Sequence, residues 1–281
     1  MGVVNITPDS FSDGGRFLAP EAAIAQALQL IEDGADILDL GAESTRPGAP
    51  PVAEDEELAR LLPVLRALRD QALPVSVDTM KPGVMRAALD EGASMVNDVA
   101  ALRAPGALDA IAGSGAAVCL MHMQGEPRTM QAAPRYGDVL AEVGAFLAAR
   151  AAEARAAGIA ADSILLDPGF GFGKDDTHNL ALLRGLGTLA GIGHPVLAGL
   201  SRKSMLGRLI GRPGGSRPGD GQRQGDRLAA SIAAALLAAQ HGARILRVHD
   251  VAETRDALAI FNAVQADGPR PVPPSRVQRP T

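Results

Sequence analysis

The chain predicts a (β/α)8 barrel in a single domain, and three observations carry that expectation. Eight short apolar runs recur at roughly even intervals, each ends in a polar or charged cluster, and helical periodicity fills the gaps between them. Polar groups gathered at one end of many parallel strands describe the rim on which such a barrel carries its chemistry. In order, Val3-Val4 leads to Asn5, Ile37-Leu38-Asp39-Leu40 leads to Glu43-Ser44-Thr45-Arg46, and Val75-Ser76-Val77 leads to Asp78-Thr79. Met95-Val96 leads to Asn97-Asp98, Val118-Cys119-Leu120-Met121 to His122, and Ile164-Leu165-Leu166 to Asp167. Val196-Leu197 precedes Ser201-Arg202-Lys203, and Ile245-Leu246 precedes Arg247 and His249.

The intervening helices follow from spacing. Ile24, Leu28 and Ile31 repeat as one helical face, as do Val139, Val143, Phe146 and Leu147. Leu58, Leu61, Leu62 and Leu65 do the same within residues 54–70. Pro20 and Pro82 sit where a first helical turn tolerates a missing N–H. Gly34, Gly92, Gly158 and Gly242 each follow a helix and lead into a strand, the position at which glycine ends a helix without a Cβ penalty. Strands alternating with helices imply parallel pairing with right-handed crossovers.

Composition narrows the function classes. The 281 residues are 47% hydrophobic but only 2% aromatic, so the core must be built from Ala, Leu, Val and Ile. A net charge of −5 gives no electrostatic reason to expect nucleic acid. No apolar run is long enough to span a membrane, and no basic-then-apolar start suggests a signal peptide, so cytoplasm is the default setting. The single cysteine, Cys119, lies mid-strand and reads as a small buried hydrophobe. Residues 211–225, rich in Gly, Arg and Pro, read as a surface insertion; they lack the interleaved aromatics an RNA contact would want. The barrel is expected over residues 1–266, followed by a disordered tail over 267–281 that holds five prolines. A first strand starting at Gly2 predicts a barrel whose lower end is bare.

The rim residues suggest a ligand. Asp78, Asn97 and Asp167 combine carboxylate acceptors with an amide, a set suited to a flat heterocycle with an amino-pyrimidine edge. A polar network inside the barrel and a metal triad are the alternatives. Arg247 and His249, two apart on the eighth strand, read as an anion clamp, since barrels bind phosphate near strands seven and eight. Asn5, on the neighbouring first strand, could bind a phosphate oxygen or a Mg²⁺ shell. Ser201-Arg202-Lys203-Ser204 opens a helix whose backbone N–H groups attract anions. Asp167-Pro-Gly-Phe-Gly-Phe-Gly-Lys174 invites a phosphate-loop reading but fails it, because Asp175 follows the lysine. Its glycines instead suggest a backbone passing close to a planar ligand, with Phe172 as an apolar wall. The polar loops over residues 7–15 and 44–51 read as movable lids.

Taken together, these residues resemble the dihydropteroate synthases, folate-pathway enzymes inhibited by sulfonamides. The resemblance rests on Asn5-Ile-Thr-Pro-Asp-Ser-Phe-Ser-Asp-Gly-Gly15, Gly41-Ala-Glu-Ser-Thr-Arg-Pro-Gly48, Val77-Asp-Thr79, Asn97-Asp98, the run from Asp167 to Lys174, Ser201-Arg-Lys-Ser204 and Arg247-Val-His249. It runs in order over about residues 2–262. It implies that Asp78, Asn97, Asp167 and Lys203 hold a pterin ring, with Val99 and Met121 lining the pocket and Arg247 covering one face. It implies a diphosphate bound by Asn5, Arg247 and His249 with Mg²⁺, for which Asn5 is the protein ligand. Phe11, Thr45, Arg46, Pro47, Phe172 and Ser201 would shape a p-aminobenzoate site. Asp78, Lys203, Arg247 and His249 would be the catalytic residues, and a homodimer is expected from the family alone. A pterin-binding methyltransferase barrel, a non-catalytic pterin-binding relative and an adaptor protein are the rival readings.

Overall fold

A computed structural model describes residues 1–7, 19–44, 49–126, 129–211 and 227–266. Its strands are β1 (Gly2–Asn5), β2 (Leu38–Gly41), β3 (Val75–Asp78), β4 (Met95–Asp98), β5 (Ala117–Met121), β6 (Ile164–Asp167), β7 (Val196–Ala198) and β8 (Ala243–Leu246). Between them run α1 (Ala19–Glu32), α2 (Glu54–Ala67), α3 (Pro82–Asp90), α4 (Ala107–Ile111), α5 (Val139–Ala156), α6 (Asp176–Arg184), α7 (Leu186–Ala190), α8 (Ser204–Leu209) and α9 (Leu228–Gln240), with α10 (Val251–Gln265) closing the described chain. All strands are parallel and pair in sequence order, β1 through β8. The first and last ends then meet: Val3 N donates to Val248 O at 3.0 Å and Val248 N to Met1 O at 2.9 Å. The sheet is therefore a closed eight-stranded barrel, as expected.

Strand alternation separates two cores. Outward residues such as Val4, Leu38, Leu40, Val75 and Val77 pack against the surrounding helices. Inward residues Met1, Met95, Cys119, Leu165 and Leu197 form a separate apolar plug, with Ile37, Ala117 and Ile245 packed on it. Cys119 is fully buried there, as its neighbours predict. Met1 belongs to this plug. Two residues further along β2, β4 and β6 the same inward face carries Asp39, Asn97 and Asp167 instead of hydrocarbon. Gly34, Gly92, Gly158 and Gly242 hold φ between 91° and 102°, the left-handed conformation that ends each preceding helix.

Three expectations need correction. In α1 the buried residues are Ala23, Ala27 and Leu30, whereas Leu28 is exposed and Ile24 and Ile31 are only partly covered. Small alanines let this helix lie close to the sheet, which turns the face by one residue. In α2 the fully buried set includes Glu57, whose carboxylate pairs with Lys81. Arg247 and His249 lie beyond β8, because ladder pairing with β7 stops at Leu246 and the backbone passes on to β1 through Val248. The insertion at 211–225 (apart from Gly211) and the tail at 267–281 fall outside the described residues.

Candidate active site

The C-terminal strand ends deliver a converging set of charges. β3 ends at Asp78, β4 carries Asn97, β6 ends at Asp167, and the chain leaving β8 turns Arg247 inward. Arg247 Nε donates to Asp39 Oδ2 at 2.6 Å and its Nη2 donates to Asp78 Oδ2 at 3.0 Å. Asn97 Nδ2 donates to the same Asp39 oxygen at 3.2 Å. Among the described residues, Asp39 Oδ1, Asn97 Oδ1 and Ser76 Oγ are buried without a hydrogen-bond partner. Unpaired buried acceptors are costly, so a floor lined with them suits a ligand that brings N–H donors. One N–H of Asn97 is used on Asp39, while its carbonyl oxygen is left without a partner.

Asp39 was not singled out by the sequence, although a signal was there. A lone aspartate inside the apolar run Ile37-Leu38-Asp39-Leu40 alternates onto the barrel interior, where a fully buried charge needs a partner. That partner is Arg247. Arg247 and His249 thus have different partners in this structure. Arg247 is committed to two carboxylates, while His249 Nδ1 lies 3.1 Å from Ser201 Oγ. Ser201 also accepts from His249 N at 3.2 Å, which ties the ends of β7 and β8 together.

Burial sets the electrostatics. It pushes the Asp78 carboxyl up to about 7 against the pull of Arg247. It also raises Asp167, opposed by Lys203, and lowers the Lys203 ammonium to about 8, opposed by Asp167. Burial works against the charge of Arg247 too, yet Asp39 and Asp78 hold its pKa above the usual value. Lys203 caps α8, donates to Phe170 O and stands 4.8 Å from the centroid of the Phe172 ring. Val99 and Met121 are buried with Met123 and Met130 in a small apolar cluster on which Phe172 packs. This flat sulfur-rich wall beside Lys203 is where the sequence placed the ring pocket.

The glycine loop after β6 has a different logic from the one expected. Gly169 and Gly173 hold φ of 68° and 63°, and a Cβ at either would run into backbone oxygens of His122 or Gln124. They permit close approach of the β5 loop, not of a ligand. Lys174, nearly fully buried, extends Nζ to His122 Nδ1 (2.9 Å), Gly169 O (3.1 Å), Phe172 O (3.0 Å) and His122 O (3.3 Å). Burial pulls Lys174 to about 7 and His122 to about 3, the latter helped by the lysine's charge. The imidazole is therefore neutral, with Nδ1 facing the lysine nitrogen.

Asn5 ends β1 half-buried at the rim. Phe11, Thr45, Arg46 and Pro47 lie outside the described residues, so the two loops expected as lids are only bounded. The root of the second is held by Glu43, which accepts from Val52 N at 3.0 Å and pairs with Lys81 at 2.5 Å. Among the described residues no group of three or more His, Cys, Asp or Glu side chains could hold a metal ion. A cavity of about 370 Å³ opens at the opposite end of the barrel, lined by His194, Pro195, Ala243 and Arg244 among others, without a comparable convergence of charge.

With this geometry in place, comparison with known proteins is decisive. Residues 1–249 match the family described as pterin binding enzyme. The chain belongs to the pterin-binding enzymes, within the dihydropteroate synthase family. Members of that family similar to it include the dihydropteroate synthase of Haemophilus influenzae, 47% identical over 264 residues, covering 94% of this chain and 92% of that protein. The Neisseria meningitidis serogroup C dihydropteroate synthase is 49% identical, covering 94% of this chain and 92% of that one. Among solved family structures, Xanthomonas albilineans dihydropteroate synthase with 4-aminobenzoic acid superposes with a TM-score of 0.87 at 55% identity, covering 95% of this chain and 92% of the other. The same enzyme in complex with 7,8-dihydropteroate gives 0.83 at 52%, covering 95% and 93%.

Proposed function

We propose that the chain is a dihydropteroate synthase: it condenses 6-hydroxymethyl-7,8-dihydropterin diphosphate with p-aminobenzoate to give 7,8-dihydropteroate and diphosphate. The observation that carries this reading is the buried cup in which Asp39 Oδ1 and Asn97 Oδ1 have no partner, beside Asp78, Asp167 and Lys203. Such a cup matches the N–H-rich edge of a pterin. Family membership and relatives bound to 4-aminobenzoic acid or dihydropteroate support it.

In this reading the ring lies against Val99 and Met121, with Asp78, Asn97, Asp167 and Lys203 on its edge and Arg247 over one face. The C–O bond to diphosphate breaks as charge on the leaving group is taken up by Asn5, Arg247 and His249 at the rim. The electron-rich dihydropterin carries the resulting cation, and ionised Asp78 favours it. The amine of p-aminobenzoate attacks that carbon, and its proton passes to the departed diphosphate or to water as the C–N bond forms. Phe11, Thr45, Arg46, Pro47, Phe172 and Ser201 are assigned to p-aminobenzoate. No protein nucleophile is required, so positioning and electrostatics supply the rate.

Mg²⁺ is the proposed cofactor. Asn5 offers one amide oxygen, and magnesium commonly takes few protein ligands and completes its shell with phosphate oxygens and water. The residues thus fit an ion that arrives with the diphosphate, where it would neutralise leaving-group charge. The same proposal includes a cytoplasmic setting; no helix among the described residues is long and apolar enough to cross a membrane. It also includes a homodimer. Leu237 on α9 and Ile260 and Val264 on α10 are 45%, 69% and 77% exposed, an apolar cost that a second copy would relieve. Light scattering at micromolar concentration tests the dimer.

Incubation with dihydropterin diphosphate, p-aminobenzoate and Mg²⁺ tests the activity. Diphosphate release that depends on p-aminobenzoate, with dihydropteroate as product, is expected. A methyltransferase barrel or a non-catalytic relative would yield neither.

A further inference from the structure

Lys174 has no role in the mechanism above, yet it is among the largest fully buried side chains of the described residues. Burying an ammonium is expensive unless its N–H groups are all accepted. Here they are: the four atoms around Nζ are three backbone carbonyl oxygens and the neutral His122 nitrogen. These acceptors belong to two rim loops. His122 follows β5, while Gly169 and Phe172 follow β6. The loop carrying them is held at further points by Asn179 Oδ1, which accepts from Gly171 N at 2.7 Å, and by Tyr136, whose hydroxyl donates to Gly173 O at 2.8 Å. His122 is itself fixed edge-on against Phe146, with ring centroids 4.9 Å apart.

What this brace holds is the bed of Lys203. Gly169 N donates to Asp167 Oδ1 at 2.7 Å, and Phe170 O accepts from Lys203 Nζ. Phe172, whose carbonyl Lys174 grips, presents its ring to the same ammonium. Displacing the loop would move all three at once. We propose that Lys174, with His122 as its neutral acceptor, is a positioning residue that sets Asp167, Phe170 O and Phe172 so that Lys203 is aimed into the pterin pocket. The inference rests on the reading of Lys203 as a pterin-binding residue.

The test uses Lys174→Met and Lys203→Ala in the full chain, with binding of dihydropterin diphosphate titrated directly and its pH dependence recorded. Lys174→Met is expected to weaken binding about tenfold, the scale of one lost charge-assisted hydrogen bond. The groups that set the ionisation of Lys203 are its burial, Asp167, Arg247 and Asp78, with Lys174 coupled to it by charge. Slackening the loop relieves that burial, so the alkaline limb of binding should move upward by about one pH unit. Loss of the Lys174 charge alone would raise that limb without weakening binding, and a brace that only stabilised the fold would lower Tm without weakening binding. Weak binding with a moved limb in Lys174→Met supports the proposal. Wild-type affinity in Lys174→Met, wherever the limb lies, alongside weak binding in Lys203→Ala, overturns the positioning role alone. Wild-type binding in Lys203→Ala overturns the pocket reading and the proposal with it. Should Lys174→Met not fold, Lys174→Gln, which keeps two N–H donors, is read by the same two outcomes.

Discussion

Arg247 lies between two carboxylates. Its guanidinium pairs with Asp39 Oδ2 and Asp78 Oδ2, and Asp78 is one of the groups proposed for the pterin edge. Asp39, fully buried, is then what keeps the arginine from leaving the barrel. Asp39→Asn should raise the KM for dihydropterin diphosphate about tenfold, because one charged hydrogen bond is lost while an acceptor remains; steady-state kinetics at saturating p-aminobenzoate checks it. The two perturbed groups also set a pH window. Asp78, raised to about 7, must be ionised, so kcat/KM falls as pH drops below that value. Lys203, lowered to about 8, must be protonated, so kcat/KM falls above it. A bell-shaped profile is expected, and Lys203→Arg, which stays charged, should lose the alkaline limb. At this scale the sequence was legible where a polar residue ended an apolar run, as with Asp78, Asp167 and Lys203. The pairings Asp39–Arg247 and Lys174–His122 were not, since their members lie up to 208 residues apart and only closure of the barrel brings them together.

The glycine loop after β6 shows how an element imposes its own chemistry. Gly169 is in the left-handed region and faces the His122 carbonyl, so Gly169→Ala meets a backbone penalty and a collision together. We expect a loss of about 2–4 kcal/mol in denaturant unfolding and a larger fractional loss in pterin affinity than at Gly158, where no atom lies within 4 Å of a Cβ. Helix ends and strand order were readable because glycine and proline punctuate them locally. The buried face of α1 was not, because alanine carries little hydropathy and gains its burial only from the sheet beneath. The exit from β8 was misplaced for a similar reason: pairing with β1, not local sequence, decides where that strand stops being regular.

For the molecule as a whole, the barrel separates stability from chemistry along its axis. The apolar plug of Met95, Cys119, Leu165 and Leu197 lies below, and unpaired acceptors and Lys203 lie above. Leu197→Ala should cost about 2–5 kcal/mol in urea unfolding while leaving kcat nearly unchanged, as expected for a plug that touches no substrate. Equal losses in both would show that the two layers are not independent.

The most direct measurement is a crystal structure with dihydropterin diphosphate bound. The ring edge is expected within hydrogen-bond distance of Asp78, Asn97, Asp167 and Lys203, with Arg247 gone from Asp78 and still paired to Asp39. A ring bound elsewhere, or an Arg247–Asp78 pair left intact beneath it, would contradict the account.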